Sequence, residues 1–159
     1  MRALLLALLL ATPAHADDWH GKKYIIQLSS SQYASGYGKY LLPPLVAALK
    51  TSGLRDANGP GADVAVSVAT DSDVGRWVGS GAGKVWTYTI SATVGISPEA
   101  YMFPDDDTPA FGIKAVLQTP NSDSEPEMDC LIKLAAQTAL QNYRPTGIFQ
   151  TDGSACASR

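Results

Sequence analysis

The sequence has little of what catalysis and nucleic-acid binding usually draw on. Of its 159 residues two are cysteine and two are histidine, and charged residues make up 17%. Both histidines, His15 and His20, stand near the N-terminus. A Ser-His-Asp or Cys-His nucleophile system needs an imidazole held firmly beside the nucleophile, and the body of the chain supplies none. No run of lysine or arginine occurs and the formal charge is −3, which removes the electrostatic basis for nucleic-acid binding or adhesion to anionic lipid. Beyond the first residues no apolar stretch approaches the ~20 residues of a membrane-spanning helix. There is no Cys-x-x-Cys pair, internal repeat or low-complexity tract.

What is present begins with Met1 to Ala16. Arg2 precedes the apolar run Ala3 to Ala11, Thr12-Pro13 breaks it, and Ala14-His15-Ala16 places small residues at the −3 and −1 positions of a cleavage site. This is the pattern of a secretory signal peptide, residues 1–16, cleaved after Ala16. Its removal leaves 143 residues, with 11 basic against 15 acidic side chains, so residues 17–159 suit a single domain with its own core. The expected location is the periplasm or the outside of the cell. Export places Cys130 and Cys156 where thiols oxidise, so a Cys130–Cys156 disulfide tying back the C-terminal tail is expected.

The pass along the chain predicts the order β-α-β-β-β-α. Tyr24 to Leu28 reads as a strand. Pro43 to Ser52 reads as a helix with Pro43 and Pro44 in its first turn, where proline is tolerated. Ala62 to Ala69 alternates as a strand, and Asp71 to Lys84, with four glycines and an isolated Trp77, reads as a long flexible hairpin connection. From Lys84 to Ile96 the alternation is clean: Trp86, Tyr88, Ile90, Ala92, Val94 and Ile96 share one face, and Thr87, Thr89, Ser91 and Thr93 the other, read as the wet one. Phe111 to Gln118 is a fourth strand. Ser124 and Glu127 stand at capping-box spacing before an apolar stripe from Met128 to Tyr143, and Thr146 to Arg159 is a patternless tail. The expected architecture is α+β: a two-layer sandwich in which two helices cover one face of a four-stranded, mostly antiparallel sheet.

Three clusters are candidates for chemistry. Gly79 to Lys84 imitates a phosphate loop, but Val78 and Val85 replace the required glycine and hydroxyl residue and a strand follows instead of a helix, so a hairpin tip is expected. Asp105, Asp106 and Asp107 with Glu99 form an acidic turn without calcium-loop spacing. Tyr33, Tyr37, Tyr40 and Trp77 are aromatic side chains that no core period explains, and they suit a partner or glycan surface. The function expected is therefore a non-catalytic binding or assembly domain of the bacterial cell envelope, with a protein or glycan partner and no cofactor or metal. Two alternatives are a small extracytoplasmic hydrolase using Asp105 and Asp107, and a secreted enzyme inhibitor presenting the segment Asp71 to Lys84.

Overall fold

The computed structural model describes residues 19–29, 32, 35–98 and 109–158. Among these residues the fold is α+β, with two helices packed on a seven-stranded mixed sheet. Strands β1 (Lys23–Gln27), β2 (Arg55–Asp56), β3 (Val64–Ser72), β4 (Arg76–Val78), β5 (Val85–Pro98), β6 (Phe111–Thr119) and β7 (Gly147–Asp152) are joined by helices α1 (Gly38–Thr51) and α2 (Glu125–Gln141). The spatial order is β2-β1-β3-β5-β6-β7, with β4 also paired to β5.

The sheet is larger and less antiparallel than the four-stranded meander expected from sequence. β3, β5 and β6 do form that meander, but β1 runs parallel to both β2 and β3, and β7 runs parallel to β6. Parallel neighbours need a crossover connection. α1 supplies it between β1 and β3, and α2 between β6 and β7. β7 falls in the segment read as tail because an edge strand held by backbone pairing shows little sequence pattern: five of its six residues are exposed.

Both helices contribute to one core. Leu41, Leu45, Leu49, Leu131, Ile132 and Ala135 pack with Val66, Ile90, Val94, Ile96 and Phe111, all of them buried. Trp19, ahead of the first strand, belongs to this core: its indole Nε1 donates to the carbonyl of Leu140 at 2.8 Å. Helix α1 starts a turn earlier than expected, so Pro43 and Pro44 lie inside it. The carbonyls they leave without intrahelical donors belong to Lys39 and Tyr40, both exposed to water, while Leu41 is buried. Solvation of those carbonyls and burial of Leu41 offset the missing hydrogen bonds.

The disulfide joins Cys130 of α2 to Cys156, 26 residues apart, at an S–S distance of 2.03 Å. It returns the chain end to the start of α2, which changes the role of Glu127. Instead of closing a capping box with Ser124, whose side chain makes no cap bond, Glu127 is 3% exposed and its Oε1 accepts from the backbone N–H of Ser158 at 2.7 Å and from its hydroxyl. Burial, the largest single influence, pushes the carboxyl up, but hydrogen bonds from Ser158 and Thr119 together outweigh it and hold the group below its ordinary value.

The second face of β5 is not simply wet. Ser91 and Ser97 are buried, and Pro109 lies so close to Gly95 that a Cβ there would collide with its ring. Thr87, Thr89 and Thr93 are partly covered.

Candidate functional site

Strand directions bring the candidate aromatics to one end of the molecule. β1, β3 and β6 point the same way, because β1 is parallel to β3, and β3 and β6 are each antiparallel to the intervening β5. The segments leaving these three strands therefore emerge at the same end. After β1 comes the start of α1 with Tyr37 and Tyr40; after β3 comes the hairpin with Trp77; after β6 comes the turn into α2. Tyr33 lies outside the described residues.

The hairpin is more ordered than the flexible connection expected from sequence. β4 continues the course of β3 along the same partner: Ser72 pairs with Ile90, and Arg76, Trp77 and Val78 pair with Thr87, Trp86 and Val85. Between these pairs Asp73, Val74 and Gly75 stand opposite Tyr88 and Thr89, one residue more on one side than on the other. That is a β-bulge. Asp73 secures it: its N–H donates to the Thr89 carbonyl at 3.1 Å, and its Oδ1 accepts from the N–H groups of Thr89 at 2.8 Å and Gly75 at 3.0 Å. The Thr89 N–H, foremost among these contacts, holds the Asp73 carboxyl below its ordinary value. Gly75, with φ +80°, sits under the Trp86 indole, where a side chain would strike the ring.

Past the bulge the ribbon runs out as an arm. At ~3.4 Å per residue the 14-residue β5 is about 47 Å long, whereas the 17-residue α2 at ~1.5 Å per residue covers only about 25 Å. The excess length of β5 projects beyond its helix. Trp77 and Trp86 face each other across the arm with centroids 5.3 Å apart at 83°, and Tyr88 continues the row 6.5 Å from Trp86. By alternation this row lies on the side of β5 that faces the helices further along, yet Trp77 is 63% exposed and Trp86 37%. Val78 and Val85, on the opposite side of the arm, are exposed as well. The tip, Gly79 to Lys84, is a short 3-10 turn over Gly81–Gly83 and leads into β5, as a hairpin tip should.

At the same end of the sheet a groove of about 250 Å³ opens between the N-terminal ends of the two helices. Tyr37, Tyr40 and Leu41 form one wall, and Ser122 to Glu125 with Met128 and Asp129 form the other. The tyrosine rings are 6.4 Å apart, and the Lys39 ammonium lies 5.0 Å from the Tyr40 centroid. The opposite wall carries three carboxylates, Asp123, Glu125 and Asp129. Asn121 Oδ1 accepts from the Asp123 N–H at 3.1 Å and fixes the turn that places them.

The structure thus gathers three of the four predicted aromatics at one end. It adds Trp86 and Tyr88, which alternation assigns to the covered face, and the groove wall of Ser122 to Glu125 with Met128 and Asp129, where sequence reasoning marks only a helix start at Ser124 and an apolar position at Met128. The signal for Trp86 is its adjacency to the glycine-rich tip. Asp105, Asp107 and Glu99 lie outside the described residues. Among the described residues no helix is long and apolar enough to cross a membrane, and the disulfide is of the kind formed in oxidising compartments. No family model matches the chain, and a search of curated proteins found no match.

Proposed function

We propose that this chain is an exported binding or assembly module of the cell envelope that receives a protein or glycan partner at its aromatic end. The observation that carries this reading is the convergence, at one end of the sheet, of an arm with exposed indoles and a tyrosine-walled groove. Exposed tryptophan and tyrosine supply large contact area at low conformational cost, and a contiguous apolar surface on a small domain marks an interaction site. The groove presents rings on one side and carboxylates on the other, which suits a ligand with an apolar body and a cationic or hydrogen-bond-donating edge. The test is capture from envelope extracts with the wild-type chain and with Trp77→Ala and Tyr37→Ala. Loss of a captured partner in either variant, with unchanged melting, supports the reading. Capture unchanged in both defeats it.

The protruding, glycine-tipped arm also favours a second reading, a secreted inhibitor that inserts the hairpin into a foreign enzyme. Inhibition of a protease or lysozyme by the wild-type chain, lost on Trp77→Ala, would select that reading over the first.

A further inference from the structure

Accepting that the aromatic end is the docking end, we infer that the tip of the β3–β4–β5 arm seats in an anionic phospholipid surface, leaving the tyrosine groove for the partner. Three features of the arm favour lipid over a protein or a sugar. First, it is apolar on both sides: Trp77 and Trp86 project from one, Val78 and Val85 from the other, and all four are exposed. A partner that packs flat against a two-stranded ribbon covers one side and leaves the other in water, whereas a fluid interface surrounds both. Second, the indoles meet edge to face at 83°, which offers no flat platform for a sugar ring. Indoles at the headgroup level, with apolar rings below and N–H groups in the polar layer, need no such platform.

Third, charge is sorted along the arm. Counted over the whole chain it is acidic, but from Val74 to Pro98 there is no aspartate or glutamate, and the two cations of that stretch, Arg76 and Lys84, both belong to the arm. Pairing of β4 with β5 sets Arg76 opposite Thr87 at the base of the arm, while Lys84 stands at the tip just before β5. Although the chain as a whole has no run of basic residues, the arm beyond the bulge is cationic at both its base and its tip and holds no acidic residue. Arg76 at the base keeps its charge at the headgroup level, and the long Lys84 stem reaches back toward it from the tip, while the valines and indoles sink below Arg76. Val74 at the bulge, 89% exposed, extends the apolar surface toward the base. Adhesion of this kind is reversible and depends on lipid composition.

The test uses the full chain with vesicles mixing phosphatidylglycerol and phosphatidylcholine, against vesicles of phosphatidylcholine alone. Trp19 is buried, so a blue shift in tryptophan emission reports Trp77 and Trp86. The expected result is co-sedimentation with the anionic vesicles, a blue shift that appears with them, and weak or no binding to the neutral ones. Arg76→Glu with Lys84→Glu should lower the partition by roughly tenfold or more. Trp77→Ala should lower it several-fold, and Tyr37→Ala should leave it unchanged. Both arm variants alter exposed residues, and an unchanged melting temperature confirms that they fold. Failure of the wild-type chain to bind anionic vesicles, or equal binding to neutral ones, overturns the inference. If vesicles fail but capture of an envelope protein or glycan still depends on Trp77, the arm belongs to that partner and the docking reading survives alone. If vesicle binding holds and capture is indifferent to both Trp77 and Tyr37, the arm binds lipid and the partner reading falls.

Discussion

From Ile90 to Ile96 strand β5 is sealed, its even-numbered side chains at 0% exposure beneath the helices; from Val85 to Tyr88 the same strand, with the same alternation, lies at or near the surface. Nothing in the side-chain pattern separates the two halves, since Trp86, Tyr88, Ile90 and Ala92 form one unbroken row. What separates them is cover. A helix of about 25 Å cannot roof a strand of about 47 Å, and the β-bulge at Asp73 to Gly75 marks where the sheet ends and the ribbon begins. Alternation states which residues share a side. It does not state whether anything lies over that side.

The comparison breaks first in the sealed half. Ile96→Ala should cost about 2 to 5 kcal/mol in denaturant unfolding, because it leaves a cavity among residues that cannot collapse around it. Trp77→Ala, on the arm, should stay within about 0.5 kcal/mol of wild type. Equal costs at the two positions would mean that the arm is packed rather than projecting.

Reduction of Cys130–Cys156 comes next. Opening a loop of 26 residues should remove about 3.5 kcal/mol in the loop-entropy account. The bridge ties the tail to α2, in the covered part of the molecule, so thermal melting with and without reductant should shift while amide exchange in the arm does not.

A smaller effect concerns pH. The Glu127 carboxyl is held below its ordinary value of 4.5, so it adds stability that is present in full above about that pH. The contribution disappears as pH falls through the lowered native value. Glu127→Gln should therefore melt below wild type near neutrality, and the gap between them should narrow as the solution is acidified below that value. A gap that stays constant would mean that the Ser158 hydrogen bonds do not depend on the charge.

The smallest change in global stability, and the sharpest in location, should come from Asp73→Ala. Loss of the Thr89 and Gly75 hydrogen bonds should loosen the arm at its base and speed exchange of the Thr87 and Thr89 amides, while the global unfolding transition stays close to that of wild type. Exchange slowed or untouched there would show that the bulge does not depend on this carboxylate.

Much of the covered half is legible in the sequence. The alternation of Ile90 to Ile96, the helical stripe from Met128 to Leu140 and the pairing of the two cysteines each follow from composition or a local rule. The departures share one cause, that cover and pairing come from residues far away. Pro43 and Pro44 read as a first turn because their cost is local, while the burial of Leu41 that offsets it is not. Ser124 and Glu127 have capping-box spacing, but the disulfide brings Ser158 to Glu127. β7 has no pattern because β6 supplies its hydrogen bonds. Trp77 stands out because no core period explains it, whereas Trp86 is concealed because one does.

The sequence by itself determined the alternating strands, the two amphipathic helices, the cysteine pair and the near absence of histidine, because these depend on composition and on spacings within a few residues. Tertiary structure decided that β1 and β7 join the sheet in parallel, that three connecting segments, two of them bearing aromatics, meet at one end, and that the first four residues of β5 stand uncovered. Strand order, relative element length and the return of the tail are properties of distant segments measured against each other, and no local window contains them.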